Sequence, residues 1–402
     1  MKKIFLFYLV ITCVIFSFSS CNDPIFFAVS QEDPPLSPLI GGSPARLIII
    51  NDELFTASGR NLWRLKLNSP SYEEWKRFRN DSWIWDITEV EGVLYICYES
   101  GNNAGISKVD SLDEDENKII STVVNTLNNN VQTLFSADNM LYYSARNSNG
   151  SSSIYAGSDP NTPILENVAE LRGAASRNTY TFLCTGGLIR SADSPITGGI
   201  YLLNEGIDKI PVEIPGLELP VTDIDFRGII NLQDINNTIV AIDRSGFLYE
   251  VTQSVVKRLN TPNTPNTNEF MLGGRTSGAL AVWTDIDSRR LLLVGRQDTN
   301  TSLNTGSTHG YRELVLDPVT GGLGDDKIFY WPGRNTDSRP TTLLENSRYV
   351  SSIGKLGINH LIQADGILFA STQQNGVWSL RDRGELHVHW NAEQQPPNPD
   401  SP

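Results

Sequence analysis

Four histidines are the first candidates for chemistry in this sequence: His309, His360, His387 and His389. His387 and His389 alternate, so on a strand their side chains would share one face, and such a pair can bind zinc. No third and fourth ligand can be pointed to, and the alternative is an exposed pair on an outer strand. The sequence therefore predicts no metal site.

An acidic run, DSLDEDEN at residues 110–117, is the second candidate. It resembles a calcium-binding loop only loosely, because it lacks the glycine of the tight turn and the terminal bidentate glutamate. We expect a solvated loop between two strands. No HExxH, GxSxG, P-loop or GxGxxG pattern occurs, and no Ser-His-Asp set can be nominated. The sequence therefore predicts no catalytic residue and no cofactor.

Two of the four cysteines, Cys97 and Cys184, lie inside apolar runs of the sequence. This setting predicts two buried free thiols, with a disulfide between them as the alternative. No CxxC pair occurs, so neither a zinc ribbon nor a thioredoxin-type site is indicated.

Cys21 closes a segment that has the layout of a secretory signal peptide. Lys2 and Lys3 precede an uncharged apolar run at residues 4–18, which is short for a membrane span. Ser19, Ser20 and Cys21 then resemble a bacterial lipobox, although Phe18 stands where leucine is usual. The resemblance implies cleavage between Ser20 and Cys21 and acylation of Cys21, including palmitate-type chains; an ordinary signal peptide with an incidental cysteine is the alternative.

The predicted organisation is a signal peptide at 1–20, a lipidated N-terminus and linker at 21–42, one domain at 43–394 and a disordered tail at 395–402. The Pro-, Gly- and Ser-rich composition before residue 43 and the Pro-rich end support these bounds. The chain has 32 basic and 46 acidic residues and a net charge of −14. This charge disfavours a broad nucleic-acid-binding surface, so no nucleic acid is expected as a partner.

A short apolar couplet recurs along the domain, and most of its spacings fall near the ~40–50-residue period of propeller blades. The couplets are Leu54-Phe55, Leu94-Tyr95, Leu141-Tyr142, Thr181-Phe182, Ile239-Val240, Leu280-Ala281 and Leu368-Phe369. In most copies a β-rich run and a turn-like break precede the couplet, and the breaks are Asp52-Glu53, Glu91-Gly92, Asp138-Asn139 and Asp365-Gly366. A strand with a fixed aromatic follows, as at Trp63 and Trp378, and then a closing strand.

This order predicts an all-β fold, a β-propeller of seven blades with four antiparallel strands each, with six or eight blades as alternatives. The repeated aromatics are expected to pack between blades. Residues 24–30, PIFFAVS, are strand-like, and we expect them to be able to supply an outer strand to the last blade.

The phrases LLLVGRQ, GYREL and SSIGKLGINHLIQADGILFASTQQNGVWSL lie in the C-terminal third of the chain. Together with the lipobox they resemble a spirochaete (treponemal-type) lipoprotein family of propeller-like character whose function is uncharacterised. The resemblance implies localisation and fold, and it transfers no catalytic residue. The GRQ and GYRE segments are either structural turns or a site.

From these features we expect a lipid-anchored protein of the bacterial cell envelope, at the periplasmic face or the cell surface. Its partners would be the bilayer, through acylated Cys21, and an unknown protein or glycan bound by a propeller-type binding or scaffold module. The alternative is a propeller hydrolase or lyase with a carboxylate/Arg site in the central channel.

Overall fold

The computed structural model describes residues 39–67, 75–100, 103–127, 131–157, 162–187, 189–190, 195–196, 198–204, 212–213, 225–259, 276–285, 288–297, 310–323, 329–330, 349–350, 356–381 and 388–393. All belong to the unit Pro38–Pro402. Cys21, the strand-like residues 24–30, an insertion at 298–309 and the predicted tail at 395–402 lie outside the described residues.

The described residues form strands and turns and no helix, so the all-β prediction is confirmed. No helix in the described part of the chain is long and apolar enough to cross a membrane. The sequence explains the strands, because short runs rich in Ile, Val, Leu, Tyr and Phe favour a pleated, half-buried surface.

The first sheet has eight strands in the order β1-β2-β3-β4-β8-β7-β6-β5, so it consists of two four-stranded meanders joined edge to edge. Its strands are β1 (Ile48–Ile50), β2 (Glu53–Ser58), β3 (Asn61–Lys66), β4 (Lys76–Arg79), β5 (Trp83–Val90), β6 (Val93–Ser100), β7 (Asn103–Asp113) and β8 (Lys118–Leu127).

Three four-stranded sheets and a two-stranded hairpin follow along the chain. The third meander comprises β9 (Val131–Ala137), β10 (Met140–Arg146), β11 (Ser152–Ala156) and β12 (Leu165–Val168). The fourth comprises β13 (Glu170–Arg177), β14 (Tyr180–Gly186), β17 (Ile200–Asn204) and β18 (Val212–Glu213), with the hairpin β15 (Ile189–Arg190) and β16 (Pro195–Ile196) between β14 and β17. The fifth comprises β19 (Phe226–Asn231), β20 (Ile239–Asp243), β21 (Leu248–Val251) and β22 (Val256–Arg258).

The last two sheets have four and five strands. The sixth meander comprises β23 (Thr276–Thr284), β24 (Arg290–Arg296), β25 (Tyr311–Val315) and β26 (Phe329–Tyr330). The seventh comprises β28 (Ile358–Ala364), β29 (Ile367–Thr372), β30 (Val377–Leu380) and β31 (Val388–Ala392), and β27 (Tyr349–Val350) pairs with β31 in parallel.

Two-residue turns join the first and second strands of four meanders, and both turn residues have positive φ. The pairs are Asn51-Asp52, Glu91-Gly92, Asp138-Asn139 and Asp365-Gly366. Glycine, asparagine and aspartate tolerate this backbone region, and such turns match the twist of a hairpin. The first break was therefore predicted one residue too late, since Glu53 is already the first residue of β2.

One carboxylate of the acidic run forms ion pairs with the first meander, the neighbour of the meander to which the run belongs. Glu114, in the turn between β7 and β8, accepts hydrogen bonds from Arg64 Nη2 and Lys76 Nζ, each at 2.7 Å. The two cations lower the pKa of Glu114 to about 2, with the Lys76 hydrogen bond as the largest cause. Only residues 114–117 form the turn between the strands, because residues 110–113 belong to β7, so the expectation of a loop over the whole run was wrong. One carboxylate of the turn bridges to the first meander.

Buried apolar side chains of the described residues form seven clusters, and each lies mainly between two meanders that are neighbours. The last of these lies between the seventh meander and the first: Leu54 and Trp63 pack with Phe369 and Val377. Because each sheet is apolar on both faces, it must be covered twice, and stacking against two neighbours achieves this.

Hydrogen bonds also connect the two ends of the series. Leu39 N–H donates to the carbonyl of Glu393 at 2.9 Å, and Trp75 Nε1 donates to the carboxylate of Glu393 at 3.0 Å. Ile40 is fully buried, so the packing already includes residues that the sequence placed in the linker. The first strands contact one another in succession, from β1 and β5 to β28.

One of the seven predicted couplets was wrong. Leu280-Ala281 lies in β23, the first strand of the sixth meander, whereas the other couplets lie in second strands. The strand in the matching place is β24, which is also wholly apolar over Leu291–Val294. Two adjacent apolar strands of similar length cannot be told apart by pattern alone.

Candidate functional site

A β-bulge recurs near the start of the first strand in six meanders. In each case the register against the second strand slips by one residue, or by two in the sixth meander. The extra residues, here called the bulge positions, are Trp85, Gln132, Arg172, Arg227, Ser277 to Ala279 and Asn359. Since a bulge releases a residue from the ladder and re-aims its side chain, these positions are the candidate site.

An exposed aromatic pair lies at the first bulge. Trp83 and Trp85 are 48% and 46% exposed, and their ring centroids are 6.0 Å apart at an interplanar angle of 47°. Trp85 Nε1 donates to Glu99 Oε2 at 2.8 Å, and the Trp83 ring lies over Gly59. Two water-facing indoles beside a carboxylate form a surface that can stack on a flat apolar group and accept a hydrogen bond.

A buried ion pair lies next to this surface. Arg46 Nη2 donates to Asp86 Oδ2 at 2.8 Å, and the Arg46 guanidinium carbon lies 3.9 Å from the Phe135 ring centroid. The Asp86 carboxylate also accepts from the backbone N–H of Leu134 at 2.9 Å and of Ile87 at 3.0 Å. Burial raises the pKa of Asp86, while Arg46 and the backbone donors oppose that rise.

His360 links the seventh meander to this cluster. Its Nδ1 accepts the backbone N–H of Leu47 at 3.4 Å, so the ring proton is on Nε2. Burial and the nearby Arg46 charge lower the pKa of His360 to about 3. The imidazole is therefore neutral at physiological pH. Asn359 Nδ2 completes the junction by donating to Ser43 Oγ and to the Pro44 carbonyl, both at 3.0 Å.

The residues singled out from the sequence have different outcomes. Cys97 and Cys184 are free and buried, which confirms the thiol prediction. Burial raises the pKa of both thiols, which keeps them protonated. Ser20, Cys21, His309 and His387 lie outside the described residues. Groups of three or more His, Cys, Asp or Glu that could hold a metal are absent from the described part of the chain.

The GRQ and GYRE segments lie largely in strands rather than in turns. Arg296 ends β24, and Arg312 and Glu313 lie in β25, where Arg312 pairs across to Val294. All three charged side chains are buried, with at most 9% of their area exposed. Their side chains are therefore largely shielded from solvent.

The repeat pattern does not predict the bulge positions, because they lie outside the repeated couplets. The available signal was the tryptophan pair in WIWDI and the recurrence of an acid, an apolar residue, arginine and glycine in ELRG at 170–173 and DFRG at 225–228. Both phrases lie in first strands, where alternation alone predicts only a half-buried strand.

Comparison with known proteins shows no family for this chain. No family model matches the chain, and no curated protein matches it. PorZ, a surface component of the type-IX secretion system of Porphyromonas gingivalis, has 14% identity and a TM-score of 0.49 over 91% of this chain and 40% of that chain. Raptor from Chaetomium thermophilum has 9% identity and a TM-score of 0.48 over 90% of this chain and 29% of that chain.

A chain in a mitotic checkpoint complex has 11% identity and a TM-score of 0.47, over 87% of this chain and 95% of that chain. This chain thus spans less than half the length of the PorZ and Raptor chains. With TM-scores below 0.5, these likenesses carry no argument about function.

Proposed function

We propose that this protein is a membrane-anchored lipoprotein of the bacterial cell envelope that acts as a propeller-type binding or scaffold module. In this proposal the seven meanders are the blades. The succession of first-strand contacts and the cluster shared by the first and last meanders support a closed ring. The lipid anchor rests on the sequence around Cys21 alone, and so does the envelope location.

The observation that carries the binding function is the exposed pair of Trp83 and Trp85. Indoles are costly to leave in water, and they are enriched in binding surfaces. Ile120, Val123, Ile235 and Val319 are the other large exposed hydrophobic side chains among the described residues. They are aliphatic, and they lie on β8 or in turns rather than at the bulge positions of the first strands. The proposal therefore assigns a protein or glycan partner to the surface around Trp83, Trp85 and Glu99.

The test is a pull-down of the tagged full-length protein from detergent-solubilised membranes, combined with a glycan array. We expect a recurrent partner whose recovery falls at least tenfold in the W83A/W85A double variant. The matched control is I235A/V319A, which removes two exposed hydrophobic side chains elsewhere and should retain the partner. If the wild type recovers no partner and no glycan, or if both double variants behave alike, the proposal is wrong.

A second candidate is a propeller enzyme, a hydrolase or lyase, with a carboxylate/Arg site in the channel. The Arg46–Asp86 pair favours it, because burial raises the pKa of Asp86, as in many acid–base catalysts. The hydrogen bonds that the Asp86 carboxylate already accepts from Arg46, Ile87 and Leu134 argue against an enzyme, because they suit a structural role. This candidate predicts turnover of a glycan or ester substrate that D86N abolishes while the fold is retained.

A further inference from the structure

The fourth and fifth meanders present the same arrangement at their bulges. In ELRG, Arg172 Nη2 donates to Glu170 Oε2 at 2.8 Å; in DFRG, Arg227 Nη2 donates to Asp225 Oδ2 at 2.6 Å. In both cases the arginine is the extra residue of the bulge and pairs with the acid two residues before it. Two neighbouring strands thus place a guanidinium at the same structural position.

The two guanidinium groups belong to one patch because the fourth and fifth meanders, which carry them, are in close contact at this point. A Cβ on Gly173 would lie 2.8 Å from Ile229 Cγ2, and a Cβ on Gly186 would lie 1.6 Å from the Phe226 carbonyl oxygen. Arg172 and Arg227 also both act on the thiol of Cys184, lowering its pKa against the larger effect of burial.

A third guanidinium completes a positive patch. Arg244 Nη1 lies 3.8 Å from Asp225 Oδ2, and the Arg244 side chain is 42% exposed. The patch holds three arginines, 172, 227 and 244, against the two carboxylates of residues 170 and 225, in a chain whose net charge is −14. Asp225 is shared further, because its Oδ1 accepts the backbone N–H of Gly187 at 2.6 Å.

The donors of this patch exceed its acceptors. The Nε atoms of Arg172 and Arg227 are buried and have no hydrogen-bond partner among the residues that the structure describes. A buried donor without an acceptor is unfavourable, and an added acceptor relieves it. Beside the patch, a Cβ built on Gly187 meets no atom of the described residues within 4 Å.

We propose that Arg172, Arg227 and Arg244 form a binding site for an oxyanion, a carboxylate or a phosphate group carried by a ligand. Guanidinium groups match the geometry of both oxyanions with paired N–H donors. Glu170 and Asp225 hold the arginines in place when the site is empty. Binding needs a small rotation of the guanidinium groups, which brings the Nε donors to the ligand.

The test is calorimetric titration of the full-length protein in an uncharged detergent at low ionic strength, with galacturonate as the carboxylate probe and inorganic phosphate as the phosphate probe. We expect one saturable site per chain for at least one probe, weakened by added salt. R172Q and R227Q should each weaken binding at least tenfold. R146Q removes an exposed arginine at the end of β10 and should change it less than twofold.

Thermal unfolding of each variant shows whether it is folded, and R172K provides a second variant that keeps the charge but loses the planar donor pair. A response to galacturonate alone identifies a carboxylate ligand, and a response to phosphate alone identifies a phosphate ligand. If neither probe binds the wild type, or binding survives in both R172Q and R227Q, the inference is wrong. W83A/W85A should leave oxyanion binding unchanged, so this test is separate from that of the partner surface.

Discussion

The buried pair of Arg46 and Asp86 shows how single residues hold several sheets together. Arg46 precedes β1, Asp86 lies in β5, and the carboxylate also accepts the N–H of Leu134 in β9. One carboxylate therefore satisfies donors from three meanders. When one partner of such a pair is removed, the other is left desolvated without a counter-charge.

We predict that D86N destabilises the protein by about 2–3 kcal/mol. The asparagine NH₂ group is a donor and cannot accept the hydrogen bond of Arg46 or of Leu134 that the carboxylate accepts. The measurement is urea unfolding of D86N, R46Q and the double variant. The two changes should couple by about 1–2 kcal/mol in the double-mutant cycle. Simple additivity of the two losses would show that the pair does not act as a unit.

Because the pKa of His360 is lowered in the folded protein, the free energy of unfolding decreases as the pH falls. Its pKa is about 3 in the folded protein, below the value of about 6.5 for an unfolded chain. The unfolded state therefore binds a proton first as pH falls, so stability decreases from about pH 6.5 towards pH 3. The Arg46 charge, which adds to this lowering of the pKa, is itself paired with Asp86.

We predict that H360N, which keeps an acceptor for the Leu47 N–H, loses less stability than the wild type between pH 7 and pH 4.5. Each unit of difference in pKa corresponds to about 1.4 kcal/mol of stability. Denaturant unfolding at the two pH values measures it. Parallel losses in the two proteins would mean that His360 titrates normally.

At the scale of elements, the sequence predicted strands well and the register poorly. The turn pairs at Glu91-Gly92, Asp138-Asn139 and Asp365-Gly366 were predicted because their residue types tolerate positive φ. The fixed aromatics Trp63 and Trp378 pack as expected, since only 8% and 6% of their surface is exposed. The bulges were not predictable, because a one-residue slip depends on contacts with the next sheet rather than on local sequence.

The close approach of the fourth and fifth meanders near their bulges depends on Gly186, the last residue of β14. We predict that G186A destabilises the protein by about 3 kcal/mol or more, because its Cβ would lie 1.6 Å from the backbone oxygen of Phe226. G41A is the matched control, since a Cβ there meets nothing within 4 Å, and its effect should stay within about 0.5 kcal/mol. Equal melting temperatures for G186A and the wild type would contradict this packing.

At the scale of the whole molecule, the protein combines the lipid anchor proposed at Cys21 with a domain of seven meanders. The seven clusters explain why no meander is expected to be stable alone, since each buries its two faces on different neighbours. The candidate site arises from this arrangement, because the bulge positions come from six separate segments. Single phrases such as WIWDI and DFRG indicate individual bulge positions, but no one of them shows that the six segments are related.

The anchor gives a separate prediction. C21S should abolish incorporation of labelled palmitate and move the protein from the detergent phase to the aqueous phase, because two acyl chains give stable membrane attachment. S19A, which keeps a small residue before the cysteine, is the control and should remain labelled. Unchanged labelling of C21S would show that the cysteine is incidental.

The proposed function rests above all on partner binding at the surface around Trp83, Trp85 and Glu99. Hydrogen exchange of the full-length protein, alone and with the partner recovered from membranes, tests it most directly. We expect binding to slow hydrogen exchange mainly in the peptides that contain Trp83 and Trp85. Exchange in the exposed turns of Ile235 and Val319 should change little. Protection of those turns, with the tryptophan peptides unchanged, would contradict it.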